Sequence, residues 1–211
     1  METPASPLRP VKARRIAEPD VWEDRGMARS FEGPYTHIIE FDWRARATKR
    51  QWLYCEGVSY EAVGTLNGMP IGIHHGIWDA FAWEITHALH SGCNRLEITV
   101  TKNGGARFPV PQVLSGFMPY VSCPFGGLWQ PVWLFETGEA WLSAPWVRGE
   151  ADGMVQISGT VVSETPATLV STIEDAQGTP LYTASMLAQG DFTHHGVLAD
   201  PRPWSPNTPT L

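Results

Sequence analysis

The chain has 211 residues, 43% of them hydrophobic and 18% charged, a composition that excludes an intrinsically disordered or collagen-like polypeptide. Lys and Arg number 15 against 22 Asp and Glu, and the formal net charge of −7 argues against a protein that grips nucleic acid through phosphates. The 10 Trp, 20 Gly and 18 Pro favour short elements, tight turns and aromatic contact faces over long helices.

Residues 1–30 read as an N-terminal arm. Pro4, Pro7, Pro10 and Pro19 interrupt regular structure, and the basic run Lys12-Ala13-Arg14-Arg15 is offset by Glu18, Asp20, Glu23 and Asp24. No apolar signal region is present and no run of ~18 apolar residues could span a bilayer, so a cytoplasmic chain without a membrane partner is expected. Cys55, Cys93 and Cys123 are widely spaced and include no C-x-x-C, which fits free thiols in a reducing compartment.

From residue 35 the hydrophobic period is two. In Tyr35–Trp43, Ile39, Phe41 and Trp43 share one face and Glu40 and Asp42 the other. Gln51–Glu56 and Ser59–Leu66 follow as strands. Asn67-Gly68 predicts a hairpin turn, because both residues tolerate positive φ, and Met69–His75 returns. Ile77–Ile85 and Arg95–Thr101 continue the pattern, with room for one helical turn at Thr86–Ser91 before Gly92. Phe108–Val147 then carries only two charges, Glu136 and Glu139, among many aromatics and prolines; a segment of this kind is typically functional or packed against another surface. Beyond Arg148, Val155, Ile157 and Val161 alternate, as do Leu169, Ser171 and Ile173, then Tyr182, Ala184 and Met186. Asp152-Gly153 and Gln177-Gly178 mark turns. Residues 149–211 hold seven acids against one base, Arg202, a net of −6. The chain is therefore expected to be all-β: an arm at 1–30, a first sandwich at 31–136 and a smaller one at 137–211, with the boundary near 136–140.

Local motifs identify no catalytic residue. His87-x-x-His90-x-x-Cys93 has metal-like spacing, but Gly92 ends the turn before Cys93 and a fourth ligand is lacking, so no metal is expected. Neighbours on a strand point to opposite faces, so His74-His75 cannot chelate one ion, and His194-His195 reads as a solvated loop pair. Glu56, Glu61, Asp79, Glu84 and Glu97 are carboxylates of the type a glycosidase pairs, but sequence alone brings no two together. There is no G-x-S-x-G elbow, no G-x-G-x-x-G and no phosphate loop, and no cofactor is expected. Aromatic rings do offer stacking faces for the C–H surfaces of sugars. Trp78, Tyr120 and Trp129 as stackers, with Asn103, Arg107 and Gln130 as hydroxyl partners, form the candidate carbohydrate-binding set; core packing is the competing role for each Trp.

A resemblance runs through the same stretch. Glu56-Gly57-Val58-Ser59-Tyr60-Glu61-Ala62, Leu66-Asn67-Gly68 and Ile71-Gly72 resemble the N-terminal jelly-roll, galactose-binding-like domain of glycoside hydrolase family 2, the family of β-galactosidases, β-glucuronidases and β-mannosidases. The likeness continues through His75-Gly76, Phe81, Ile85-Thr86 and Gly92-Cys93-Asn94-Arg95-Leu96, and closes at Gly126-Gly127-Leu128-Trp129-Gln130-Pro131-Val132-Trp133-Leu134. Residues 140–211 resemble the family's immunoglobulin-like second domain, and Pro203–Leu211 the stretch that precedes its catalytic barrel. One departure is Val63-Gly64-Thr65, where the family more often carries an acid and an aromatic.

The resemblance implies no catalytic residue here. The family's acid/base glutamate follows an asparagine on a barrel of about 250 residues, and Asn67, Asn94, Asn103 and Asn207 are each followed by another residue type. The expected function is a non-catalytic carbohydrate-binding or scaffolding module pair of such a glycosidase, truncated before the barrel. Its expected partners are a weakly bound carbohydrate or a catalytic barrel. Two alternatives stand beside it: a small glycosidase using jelly-roll carboxylates, and a structural module that forms homo-oligomers through 108–147.

Overall fold

A computed structural model describes residues 7, 9–10, 12–44, 46, 49–109, 125–202 and 205–207. Among the described residues there are strands and turns and no helix. The strands are β1 (Arg14–Ala17), β2 (Asp20–Val21), β3 (Tyr35–Trp43), β4 (Arg50–Cys55), β5 (Val58–Ser59), β6 (Glu61–Leu66), β7 (Met69–His75) and β8 (Phe81–Glu84). They continue with β9 (Gly92–Thr101), β10 (Gly127–Leu128), β11 (Val132–Thr137), β12 (Trp141–Gly149), β13 (Met154–Val162), β14 (Ala167–Glu174), β15 (Pro180–Ala188) and β16 (Gly190–Val197). The chain divides into two compact units, Arg9–Gly138 and Glu139–Leu211, the second also taking in Pro7, which bridges to Ser143.

The Arg9–Gly138 unit is a sandwich of two antiparallel four-stranded sheets, β1-β11-β4-β8 and β3-β9-β6-β7, with a short sheet β2-β10-β5. Alternation decides which side chains meet between the layers. Leu53, Trp83 and Leu134 from one sheet pack with Leu66, Leu96 and Ile98 from the other. Cys55 lies in this core as a free thiol, and Cys93 is exposed. In β3, Phe41 is buried, and Ile39 and Trp43 on the same face pack against the core. Asn67 (φ 52°) and Gly68 (φ 80°) form the hairpin turn between β6 and β7. Residues 86–88 form a hydrogen-bonded turn, with the Ala88 and Leu89 N–H groups both donating to the Ile85 carbonyl.

The first thirty residues are more than an arm. β1 pairs with β11, β2 pairs with β10, and Trp22 between them is fully buried. Its ring lies edge-on to Phe31 at 5.4 Å and 6.0 Å from the Tyr35 ring. The buried Lys102 ammonium sits 5.8 Å from that ring and pairs with Glu23 at 3.3 Å. Prolines and mixed charge conceal an edge strand whose anchor is a single indole.

One contact joins the two large sheets with particular economy of space. Gly64 in β6 and Gly72 in β7 are cross-strand partners, and a Cβ added at either would overlap the Trp83 indole from the opposite sheet. The two bare backbones form a slot for the largest side chain, so Gly64, the position that departs from the resembled motif, is filled by Trp83 instead of by its own side chain.

In the second unit β12-β13-β16 form one sheet and the β14-β15 hairpin another. The alternating residues of β14 and β15 face one another in register: Leu169 opposite Met186, Ser171 opposite Ala184, Ile173 opposite Tyr182. The core is small, built on Val161, Ala188 and Phe192 with Leu142, Ile157, Leu169 and Met186 against it.

Two histidines in the first unit are shielded from solvent, His37 buried and His74 half-buried. His37 Nδ1–H donates to Asp20 Oδ2 at 2.9 Å, and His74 stacks on Phe81 with ring centroids 3.9 Å apart. Burial holds both imidazoles below their ordinary value of 6.5, although the Asp20 contact opposes the shift at His37 and Asp79 opposes it at His74.

Two outcomes follow for stability. Gly72→Val drives a branched side chain into the Trp83 slot and lowers unfolding stability by about 1–3 kcal/mol in a denaturant titration; an unchanged midpoint would show that the slot is not tightly packed. Between the depressed folded values and 6.5 the unfolded chain binds more protons than the folded one. Stability therefore falls as pH drops from 7 toward 5, by at most ~1.4 kcal/mol per pH unit per histidine, and His37→Gln shallows that slope. Thermal melts across this range read the effect, and a flat profile would contradict it.

Candidate functional site

Register places several loops at one end of the first sandwich. Cys55 pairs with Phe81 and Val132 in one sheet, and Glu61 pairs with His75 and Thr101 in the other. The connections that leave these rungs, 56–57, 76–80, 102–109 and 125–131, therefore gather at the same end. Loops held by a rigid sheet are where binding groups are commonly carried.

Three aromatic rings meet there. Trp78 lies edge-on to Trp129 at 5.1 Å and to Phe125 at 6.1 Å, and Phe125 and Trp129 are 5.7 Å apart. Trp129 is the anchor. Its Nε1–H donates to the Ile77 carbonyl at 2.8 Å, and its ring covers Gly57, where a Cβ would overlap it. Gln130 N–H donates to the Gly57 carbonyl at 3.3 Å, and Ser59 Oγ–H to the Phe125 carbonyl at 2.7 Å, so the cluster is tied down from both sides. Trp78 is the presented ring, half exposed at 50%. An exposed indole backed by two fixed rings is a preorganised flat apolar face.

A charged cluster lies at the same end. Glu61, with only 9% of its side chain exposed, accepts from Arg107 Nη2 at 2.8 Å and from His75 Nε2 at 3.0 Å. Arg107 is mostly exposed and its guanidinium lies 5.3 Å from the Phe108 ring. Phe108 is in turn 5.3 Å from Tyr60 and 5.9 Å from His75. The acid orients the Arg107 fork, and planar donors of this kind suit vicinal hydroxyls or a carboxylate.

Of the six candidate residues, the structure gathers Trp78, Trp129 and Gln130 around one aromatic cluster and fixes Arg107 on Glu61. Asn103 is only 3% exposed, with its Oδ1 buried and unpartnered among the described residues, so it is a buried group beneath the loop and not a displayed one. Tyr120 lies outside the described residues. Tyr60, Glu61, His75, Phe108 and Phe125 join the site without having been singled out for it.

The carboxylates considered as a glycosidase pair are mostly engaged by bases. Glu56 pairs with Arg9 at 3.1 Å, Glu84 with Arg50 at 3.2 Å and Glu97 with Arg95 at 2.8 Å. Among the described residues no group of three His, Cys, Asp or Glu is placed to hold a metal ion. His87 instead approaches the Pro70 carbonyl at 3.4 Å. No helix of the described chain is long and apolar enough to cross a membrane.

The architecture has solved counterparts. A glycosyl hydrolase family 2 member from Bacteroides cellulosilyticus superposes with a TM-score of 0.66 at 16% identity, over 99% of this chain and 31% of that one. The β-glucuronidase of Bifidobacterium dentium, solved with coumarin-3-O-glucuronide, gives 0.64 at 20% identity over 81% of this chain and 34% of its own. The β-glucuronidase of Parabacteroides merdae gives 0.64 at 16% identity over 82% and 24%. The fold is thus that of a part of these glycosidases, and the chain spans 24–34% of their length. No protein-family model and no curated protein sequence matches the chain.

Proposed function

We propose that the chain is a non-catalytic carbohydrate-binding and scaffolding module pair of family 2 glycoside hydrolase type: a jelly-roll unit followed by an immunoglobulin-like one. The observation that carries this is the Trp78–Phe125–Trp129 cluster, an exposed indole braced at the loop end of a sandwich of the kind found within family 2 glycosidases. Trp78 offers the stacking face, and the Arg107 guanidinium and the Gln130 side-chain amide, carried on loops at the same end, are the donors for hydroxyls. The partners are a weakly bound carbohydrate and a glycosidase catalytic barrel. Partial coverage of the solved glycosidases supports a role in which the chemistry belongs to another part of such an enzyme.

Isothermal titration of the chain with galactosides, glucuronides and mannosides tests the proposal. Binding of at least one neutral glycoside is expected, and Trp78→Ala weakens it by about tenfold, because stacking on an aromatic face contributes about 1–3 kcal/mol in comparable ring–ring recognition. Absence of heat with every sugar, with Trp78→Ala and Trp129→Ala indistinguishable from wild type, would remove the carbohydrate-binding part.

A further inference from the structure

The opposite end of the same sandwich carries a different feature. Trp43 ends β3, Gln51 lies near the start of β4 and Glu136 near the end of β11, all at the far end of their strands from the Trp129 cluster. Between them opens a groove of about 520 Å³ lined by Lys12, Arg14, Trp43, Arg44, Arg46 and Glu136. The volume is that of a small-ligand site.

Its walls are fixed by a chain of hydrogen bonds through a buried side chain. Trp43 Nε1–H donates to Gln51 Oε1 at 2.9 Å, Gln51 Nε2–H donates to Glu136 Oε1 at 3.0 Å, and Glu136 Oε2 pairs with Arg46 at 3.5 Å. Gln51 is 2% exposed, so the relay is held by the core and not by solvent. Arg14 donates to the Asp42 carbonyl at 2.7 Å, and its guanidinium lies 6.0 Å from the Trp43 ring. Four cations thus face one carboxylate. Among the described residues, neither Lys12 nor Arg44 has a carboxylate within ion-pair distance. This concentration stands out in a chain of net charge −7. Cations crowded on one wall of a concave site repel one another and attract an anion.

We propose that this groove binds an acidic saccharide, a sugar bearing a carboxylate or sulfate ester: Trp43 supplies a ring face, and Arg44, Arg46, Arg14 and Lys12 neutralise the acid group. The saccharide part rests on the carbohydrate function proposed above, while the anionic part rests on the groove's charge alone. Guanidinium forks suit carboxylate and sulfate oxygens, and a Trp beside them accepts the apolar face of a ring.

The test is titration of the full chain with a chondroitin sulfate disaccharide, with cellobiose as neutral probe and sodium sulfate as bare anion. The disaccharide is expected to bind, more weakly as salt rises, and Arg44→Glu with Arg46→Glu weakens it about tenfold or more. Arg46 is 67% exposed at its side chain, so the fold is retained, which circular dichroism checks, and the milder Arg44→Gln with Arg46→Gln shifts affinity in the same direction. Trp78→Ala leaves this binding unchanged. No binding of the disaccharide, or binding insensitive to the arginine substitutions, overturns the proposal. Loss in Trp78→Ala instead would assign the binding to the other end of the sandwich and overturns it too. Sulfate competing at equal concentration would reduce the site to a bare-anion site and overturns the saccharide part. Neutral-glycoside binding at Trp78 is scored separately, so either proposal can fail without the other.

Discussion

Indole rings seated on bare backbone hold the first sandwich together. Trp83 fills the slot between Gly64 and Gly72, Trp129 covers Gly57, and Trp22 lies on Gly126 so closely that any Cβ there would overlap its ring. A glycine removes the side chain that would hold an indole away from the opposing layer, and the ring then contacts the strand itself at interior packing density. Abundant tryptophan and abundant glycine are two halves of one packing scheme. Each ring also closes a different seam: Trp83 joins the two large sheets, Trp22 secures the N-terminal strands, and Trp129 fixes the loop end.

That scheme leaves the two ends of the sandwich free to differ. At the Trp129 end, Trp129 braced on Gly57 and on the Ile77 carbonyl backs the exposed Trp78, and the same end carries an Arg107 held by a nearly buried acid. At the Trp43 end, the Gln51 relay fixes a basic groove. A rigid frame lowers the ordering cost of binding at either end, because the groups that would meet a ligand are already placed. The second unit has a smaller core of the same kind, with cross-strand apolar pairs in place of buried indoles.

Much of the fold was legible in the sequence because it rests on period-two alternation. Tyr35–Trp43 coincides with β3, and the Asn67-Gly68 turn and the facing residues of β14 and β15 follow from pattern and turn chemistry alone. Trp22 was not legible, because its strands are two and four residues long and lie among prolines and charges of both signs. The Glu61–His75 pair was hidden by an irregularity. Counting back from the turn would place Glu61 opposite His74, but the register slips between Gly64 and Thr65, beside Pro70, which lacks an N–H for the ladder. That slip brings His75 to Glu61, while His74 stacks on Phe81. Of the candidate site, the aromatic members were identifiable from their loop positions. The burial of Asn103 and the clamp on Arg107 depend on contacts between segments far apart in the chain, which residue type cannot report.

The central claim is that the braced aromatic end is the surface that meets neutral sugar, while the buried indoles of Trp22, Trp52 and Trp83 are structural. Indole N–H signals of the 10 tryptophans, followed by two-dimensional NMR during titration with a neutral glycoside, test this residue by residue. The account predicts that the Trp78 and Trp129 signals move together with increasing sugar while those of Trp22, Trp52 and Trp83 stay fixed. Signals that all stay fixed at saturating sugar, or shifts at Trp22, Trp52 or Trp83 without one at Trp78, would contradict it.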